Sequence, residues 1–255
     1  MRKFYLIAGG ALTFAAFLWA AGDPWREKPY QQWDQKDITR ILTDSPWSKV
    51  VRVDAPWRTS GQRDDDEGES DEGPQAPSGG GMSRGGYGAG GGSQPPGGAS
   101  GGGPSVPQAA FVVRWASSQT IREAVYRDAV LKGQMKQEDV DKALLQPVGD
   151  YDVLVVGKDM SQFAKSDENA LKGQAYLSTK KTKQKISPGR VQIQKSQDGM
   201  NIVALIFSFP KKTSNGENDI APDEKGVEFV LAAGQVKLKA GFDPSKMANQ
   251  QGRDL

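Results

Sequence analysis

Seventeen of the chain's 31 glycines lie between Gly61 and Gly103, and a stretch that rich in glycine cannot bury enough apolar surface to offset the entropy of ordering it. The tract opens with Asp64-Asp65-Asp66-Glu67-Gly68-Glu69-Ser70-Asp71-Glu72 and continues through Gly79-Gly80-Gly81, Gly90-Gly91-Gly92 and Gly101-Gly102-Gly103. Residues 59–108 therefore read as a disordered acidic tether, with an r.m.s. reach of about 35–42 Å for a Gly-rich coil. What can fold in this chain of 255 residues is a short piece before the tether and a longer one after it.

The chain starts with the positive head Met1-Arg2-Lys3, followed by an uncharged apolar run from Phe4 to Ala21 that ends at Asp23-Pro24. This is the pattern of an export signal, with Ala20 and Gly22 satisfying a small-x-small rule for cleavage before Asp23. The alternative is an uncleaved anchor, since 18 apolar residues approach the ~20 that span a bilayer. Either way the remainder is expected outside the cytoplasm, periplasmic or secreted. There is no cysteine and no histidine, so disulfides, thiol nucleophiles, imidazole bases, lipid-modified cysteines and the usual zinc sites are all excluded. No metal site or cofactor is expected.

Before the tether, Asp34 reads as the N-cap of a helix, with Asp37 in the first turn, Trp33 as a staple onto Ile38, and Ile38, Ile41 and Leu42 as one apolar stripe. Asp44-Ser45-Pro46 ends that helix and Lys49–Val53 reads as a strand. After the tether, Phe111–Trp115 is a strand, and Thr120-x-x-Glu123 reads as a capping box opening a helix toward Gly133, with Glu123 and Arg127 spaced to pair. A second helix is expected over about 138–145, a buried strand at Val153–Val156 and a short helix near Asp167–Lys172. The final third is strand-rich: Arg190–Lys195 turns at Asp198-Gly199 into Ile202–Phe207, and Val227–Leu231 turns at Gly234 into Val236–Ala240.

Residues 23–58 are too few to fold alone, yet they hold Trp25, Trp33, Trp47 and Trp57, so they need a partner surface. Pairing the strand at 49–53 with that at 111–115 supplies one. The segments Lys28–Trp33, Ile41–Lys49, Ala110–Trp115 and Asp223–Val230, on both sides of the tether, resemble an uncharacterised family of exported acidobacterial proteins; the resemblance implies one interrupted domain and carries no function with it. The chain after Phe242 departs from that pattern. The expected fold is α+β, a largely antiparallel sheet with packed helices, interrupted by the long disordered Gly-rich acidic insertion. Its boundaries are 1–22 signal peptide, 23–58 and 109–243 the two parts of the folded domain, 59–108 tether and 244–255 tail.

Candidate chemistry is sparse. Seven cations and no acid lie between Glu168 and Asp198; of these Lys180, Lys181, Lys183, Lys185, Arg190 and Lys195 form the candidate anion-binding set, against the alternative that they solvate a loop and guard a sheet edge. The partner would be an anionic envelope polymer, a lipid headgroup or another envelope protein. Nucleic acid is disfavoured because no aromatics interleave the cations. Asp150 and Asp152 flank Tyr151 at strand spacing and offer paired carboxylates for glycoside hydrolysis. Ser178-Thr179-Lys180-Lys181 matches an S-x-x-K spacing without its companion motifs. Gly86-Tyr87-Gly88-Ala89-Gly90 mimics a nucleotide loop but follows no strand, Ser83–Tyr87 holds a single RGG-like copy, and the acidic run lacks the rigidity of a calcium site. The expected function is that of an exported non-catalytic binding or scaffold protein, with an Asp/Glu-dependent hydrolase of wall polymers as the rival.

Overall fold

The computed structural model describes residues 22–57, 107–213, 216 and 218–255. The export segment up to residue 21 and the Gly-rich acidic tract from 58 to 106 lie outside the described residues. The fold is α+β, with every strand pair antiparallel.

The first part holds a one-turn helix α1 (Pro24–Glu27), a 3₁₀ turn at Tyr30–Gln32, α2 (Gln35–Thr43) and β1 (Ser48–Asp54). Helix α2 starts where the sequence predicts, and the cap is reciprocal: Asp34 Oδ1 accepts from the Asp37 N–H at 2.8 Å, and Asp37 Oδ2 from the Asp34 N–H at 3.3 Å. After the tract come β2 (Gln108–Trp115), α3 (Gln119–Leu131), α4 (Gln137–Leu144), β3 (Asp150–Gly157), α5 (Glu168–Gln174), β4 (Ala175–Thr179) and β5 (Lys185–Ile186). They are followed by β6 (Arg190–Lys195), β7 (Ile202–Pro210), β8 (Val227–Ala233), β9 (Val236–Phe242) and a small hairpin of β10 (Ala248–Asn249) and β11 (Gly252–Arg253).

The strands divide between a five-stranded sheet in the order β1-β2-β3-β7-β6 and a four-stranded sheet in the order β5-β4-β8-β9, rather than forming the single sheet expected. Most strands of both sets alternate buried and exposed positions, while β7 and β8 are buried over most of their length, so each sheet has a dry face that must be covered. Those faces meet: Phe207 and Phe229 lie 5.3 Å apart between ring centroids, Phe209 and Phe229 6.2 Å, and Trp115 and Phe242 5.3 Å. Strand β1 pairs with β2 from Ser48 opposite Arg114 to Asp54 opposite Gln108, so residues before and after the tract share one sheet. Trp25, Trp33, Ile38, Ile41 and Trp47 belong to the same buried cluster as Phe111, Val113 and Trp115. Trp25 packs edge-on against Trp47 at 5.5 Å.

Two local expectations change. Helix α3 is capped by Ser118, whose Oγ accepts from the Ile121 N–H at 3.2 Å, because the amides of Gln119 and Thr120 already donate to the Asp254 carboxylate at 2.6 and 2.9 Å. Arg127 donates to the Trp33 carbonyl at 3.2 Å, while Glu123 accepts from Gln119 Nε2. The segment 244–255, expected as a tail, is packed into the domain, with Met247 and Asp254 both buried.

Candidate functional site: a lysine-lined cleft

The two sheets approach edge to edge where β1 runs beside β9, and a cleft of about 300 Å³ opens at that seam. Pro46 and Phe242 supply apolar wall, and four lysines, Lys49, Lys180, Lys225 and Lys246, line the rest with Gly241 and Asp243. Each lysine comes from a different place in the chain: the start of β1, the turn after β4, the loop before β8 and the segment after β9. Asp243 is the one carboxylate in the lining.

Each group is held by its local structure. Lys49 reaches back to donate to the Ser45 carbonyl at 3.0 Å; burial pushes its ammonium below the usual lysine range, with Asp44 opposing and Lys246 adding like-charge repulsion. The Lys180 N–H donates to the Gly226 carbonyl at 2.8 Å, and its aliphatic stem crosses the Gly226 Cα so closely that a Cβ there would sit 2.3 Å from Cδ. Glycine at 226 is thus what lets Lys180 take this path. Beside it, buried Glu224 accepts from the backbone N–H groups of Lys181, Lys225 and Gly226, at 3.1 Å in each case. One carboxylate pins both loops that carry Lys180 and Lys225.

Asp243 accepts from the Ser245 hydroxyl at 2.6 Å and the Ser245 N–H at 3.0 Å. Those bonds, with Lys246 and Lys180 nearby, hold its carboxyl below the usual range. The Lys246 ammonium stands 3.9 Å from its other oxygen. Gly241 completes the floor: it faces outward on β9, and a Cβ built on it meets nothing within 4 Å. The cleft therefore concentrates positive potential in a concave, partly desolvated space, the condition in which an anion gains most from ammonium groups.

Of the six cations expected as a set, Lys180 lines this cleft. Lys181 is ion-paired with Asp223. Lys183 sits in the turn after β4 with φ of 57°, and Lys185 holds its ammonium 4.7 Å from the Tyr176 ring centroid. Arg190 and Lys195 lie at the two ends of β6 in the other sheet. The run is continuous in sequence, but Ser187-Pro188-Gly189 carries the chain from one sheet to the other and divides it. Lys49, Lys225 and Lys246 are the members sequence reasoning missed; Lys246 fell in the segment set aside as a tail, and the other two lie far in sequence from the run between Glu168 and Asp198.

Asp150 and Asp152 share one face of β3, opposite Pro210 and Ser208 of β7. Neither lines the lysine cleft. Asp152 Oδ1, Ser208 Oγ and Ser117 Oγ are buried with no hydrogen-bond partner among the described residues, and the Lys211 ammonium nearby is pushed down by burial, with Asp152 opposing. Among the described residues no group of acidic side chains is arranged to hold a metal ion. Nor is any helix among them long and apolar enough to cross a membrane. No known family model, curated protein or solved structure matches the chain.

Proposed function

We propose that the protein is an exported, non-catalytic binding protein of the cell envelope or secretome, and that its ligand presents an anionic group to the lysine cleft. The observation carrying this reading is the convergence of Lys49, Lys180, Lys225 and Lys246, distant in sequence, on one cleft that holds a single carboxylate. Lysines that merely solvate a surface have no reason to meet in a concavity, because mutual repulsion disfavours it. Export rests on the Met1–Gly22 pattern and on the resemblance to exported acidobacterial proteins; a mature N-terminus within residues 21–23, read by intact mass, is the expected result. The rival hydrolase reading would use Asp150 and Asp152, which stand apart from this cleft.

Calorimetric titration with inorganic tripolyphosphate tests the cleft. The Lys49→Gln/Lys180→Gln double variant should bind at least about tenfold more weakly, corresponding to about 1.4 kcal/mol. Gly241→Leu should do the same by filling the floor, and it introduces no charge change. Equal affinity in all three proteins sinks the reading.

A further inference from the structure

The outward face of β9 continues the positive surface beyond the cleft. Lys237, Lys239 and Gly241 occupy successive outward positions on that strand, all exposed, while Val236, Leu238, Ala240 and Phe242 point into the core. Strand geometry sets these stations about 6.6 Å apart, and the third of them is the floor of the cleft. Among the described residues β9 pairs with β8 alone and forms the edge of its sheet, with β1 of the other sheet running beside it. Among the described residues, Lys180, Lys225, Lys237 and Lys239 form no ion pair. The carboxylates along this path are Asp243 in the cleft, Asp44 near Lys49, Asp223 near Lys225, and Glu228, which lies opposite Gly241 in the β8–β9 register. Six ammonium groups therefore face four carboxylates along one track, and one of these, Asp223, is ion-paired with Lys181.

Building on the reading of the cleft as an anion site, the geometry points to a linear polyanion as the ligand: an extended phosphodiester chain that seats one phosphate in the cleft and lays the following ones along Lys239 and Lys237. The spacing argues for this. Outward stations about 6.6 Å apart match an extended phosphodiester chain that carries one charge per backbone unit, whereas a single small anion in the cleft would reach neither Lys237 nor Lys239.

The composition of the face argues against two other polyanionic surfaces. A bilayer needs apolar groups to insert beside the cations, and the large hydrophobics exposed among the described residues (Val50, Val125, Leu131, Leu145, Met200 and Val203) all lie outside β8 and β9. Single-stranded nucleic acid needs open aromatic faces for its bases, and Tyr176, the aromatic on this side of the sheet, has the Lys185 ammonium over its ring.

The test compares orthophosphate, tripolyphosphate and a long poly(glycerol phosphate) chain, a phosphodiester, on the full exported chain, its Lys237→Gln/Lys239→Gln variant and its Lys49→Gln/Lys180→Gln variant. The parent protein should bind the long chain more tightly than tripolyphosphate per mole of chain. Replacing Lys237 and Lys239 should leave tripolyphosphate affinity within about twofold and weaken the long chain about tenfold. The slope of log K against log salt should become shallower by about 0.7 per lysine removed. Lys239→Glu, which adds repulsion at an exposed site, should weaken the long chain further with an unchanged melting temperature. Long-chain affinity unmoved by the β9 substitutions, with the cleft variant still defective, overturns the track and leaves the cleft reading standing. A cleft variant that binds tripolyphosphate normally overturns both. Phosphatidylglycerol vesicles bound more tightly than the poly(glycerol phosphate) chain at equal phosphate concentration would also overturn the proposal, in favour of a membrane surface.

Discussion

Trp47 donates its indole Nε1–H to the backbone carbonyl of Asp254 at 2.7 Å, across 207 positions of sequence. The same Asp254 turns its carboxylate onto the first turn of α3, where the Gln119 and Thr120 amides would otherwise be orphan donors at a helix N-terminus. One residue of the last segment thus joins the tryptophan before the tract to the helix after it. Asp254→Ala should cost about 2–3 kcal/mol, the value of losing charge-assisted bonds to a buried carboxylate. Trp47→Phe, which gives up one neutral hydrogen bond and part of a buried ring, should cost about 1–3 kcal/mol. Both should appear in urea unfolding as a lower midpoint with an unchanged slope.

Glu224 should matter to stability and binding together. Its carboxylate meets three backbone N–H groups, and an amide in its place would set an NH₂ against some of them. Glu224→Gln should lower stability by roughly 1–3 kcal/mol. It should also weaken tripolyphosphate binding, because the loops presenting Lys180 and Lys225 lose their shared anchor. Unfolding and titration on the same preparation check both effects; a stability loss with binding intact would mean the anchor does not shape the cleft.

The parts of this fold that are legible in sequence are those whose cause is local. The β6–β7 and β8–β9 hairpins announce themselves through Gly199 and Gly234, which take φ of 70° and 59° at turns that alternating strands flank. Helix α2 is announced by Asp34 and Asp37. The pairing of β1 with β2 is also readable, because Trp33, Ile38 and Ile41 have nowhere else to be buried. The division into two sheets is not readable, since alternation marks a dry face without saying which other face covers it. The cleft is invisible for the same reason: Lys49 and Lys246 become neighbours only once β1 lies against β9. A linear charge run overstates proximity where the chain changes sheet, as it does at Pro188.

Tyr30 gives a pH dependence of defined sign. Its hydroxyl donates to Asp141 Oδ1 at 2.5 Å and accepts from Gln137 Nε2 at 2.7 Å, tying the 3₁₀ turn to α4. Desolvation, followed by the bond to Asp141, pushes the phenol up to about 12, from an ordinary value near 10. The fold therefore favours the neutral phenol. Its contribution is full below pH ~10 and is lost as pH rises through about 12. Tyr30→Phe should remove this component: the stability difference between parent and variant should be constant at neutral pH and shrink between pH ~10 and ~12. A difference that does not narrow in that window would show that the hydroxyl is not held as described.

The interrupted domain should survive loss of the covalent connection but not loss of its first part. A chain starting at Gln108 lacks Trp25, Trp33, Ile38, Ile41 and Trp47, each no more than 4% exposed. At about 1.5–3 kcal/mol per buried side chain, removing even half of that contribution approaches the 5–15 kcal/mol by which domains are stable. It also leaves β2 with an open edge and Asp254 without its tryptophan, so this shortened chain should be insoluble or lack a cooperative melt. Supplying residues 23–57 as a separate chain should restore solubility and the melt, because β1 recognises β2 through seven paired positions that need no connecting segment. Deleting residues 62–106 while keeping the connection should change the melting temperature little, since loop-closure entropy varies only with the logarithm of loop length. A cooperative melt and sharp, dispersed NMR signals from the 108–255 chain alone would instead make the tryptophan-rich segment an accessory arm, and the shared core described here would not be what stabilises the second part.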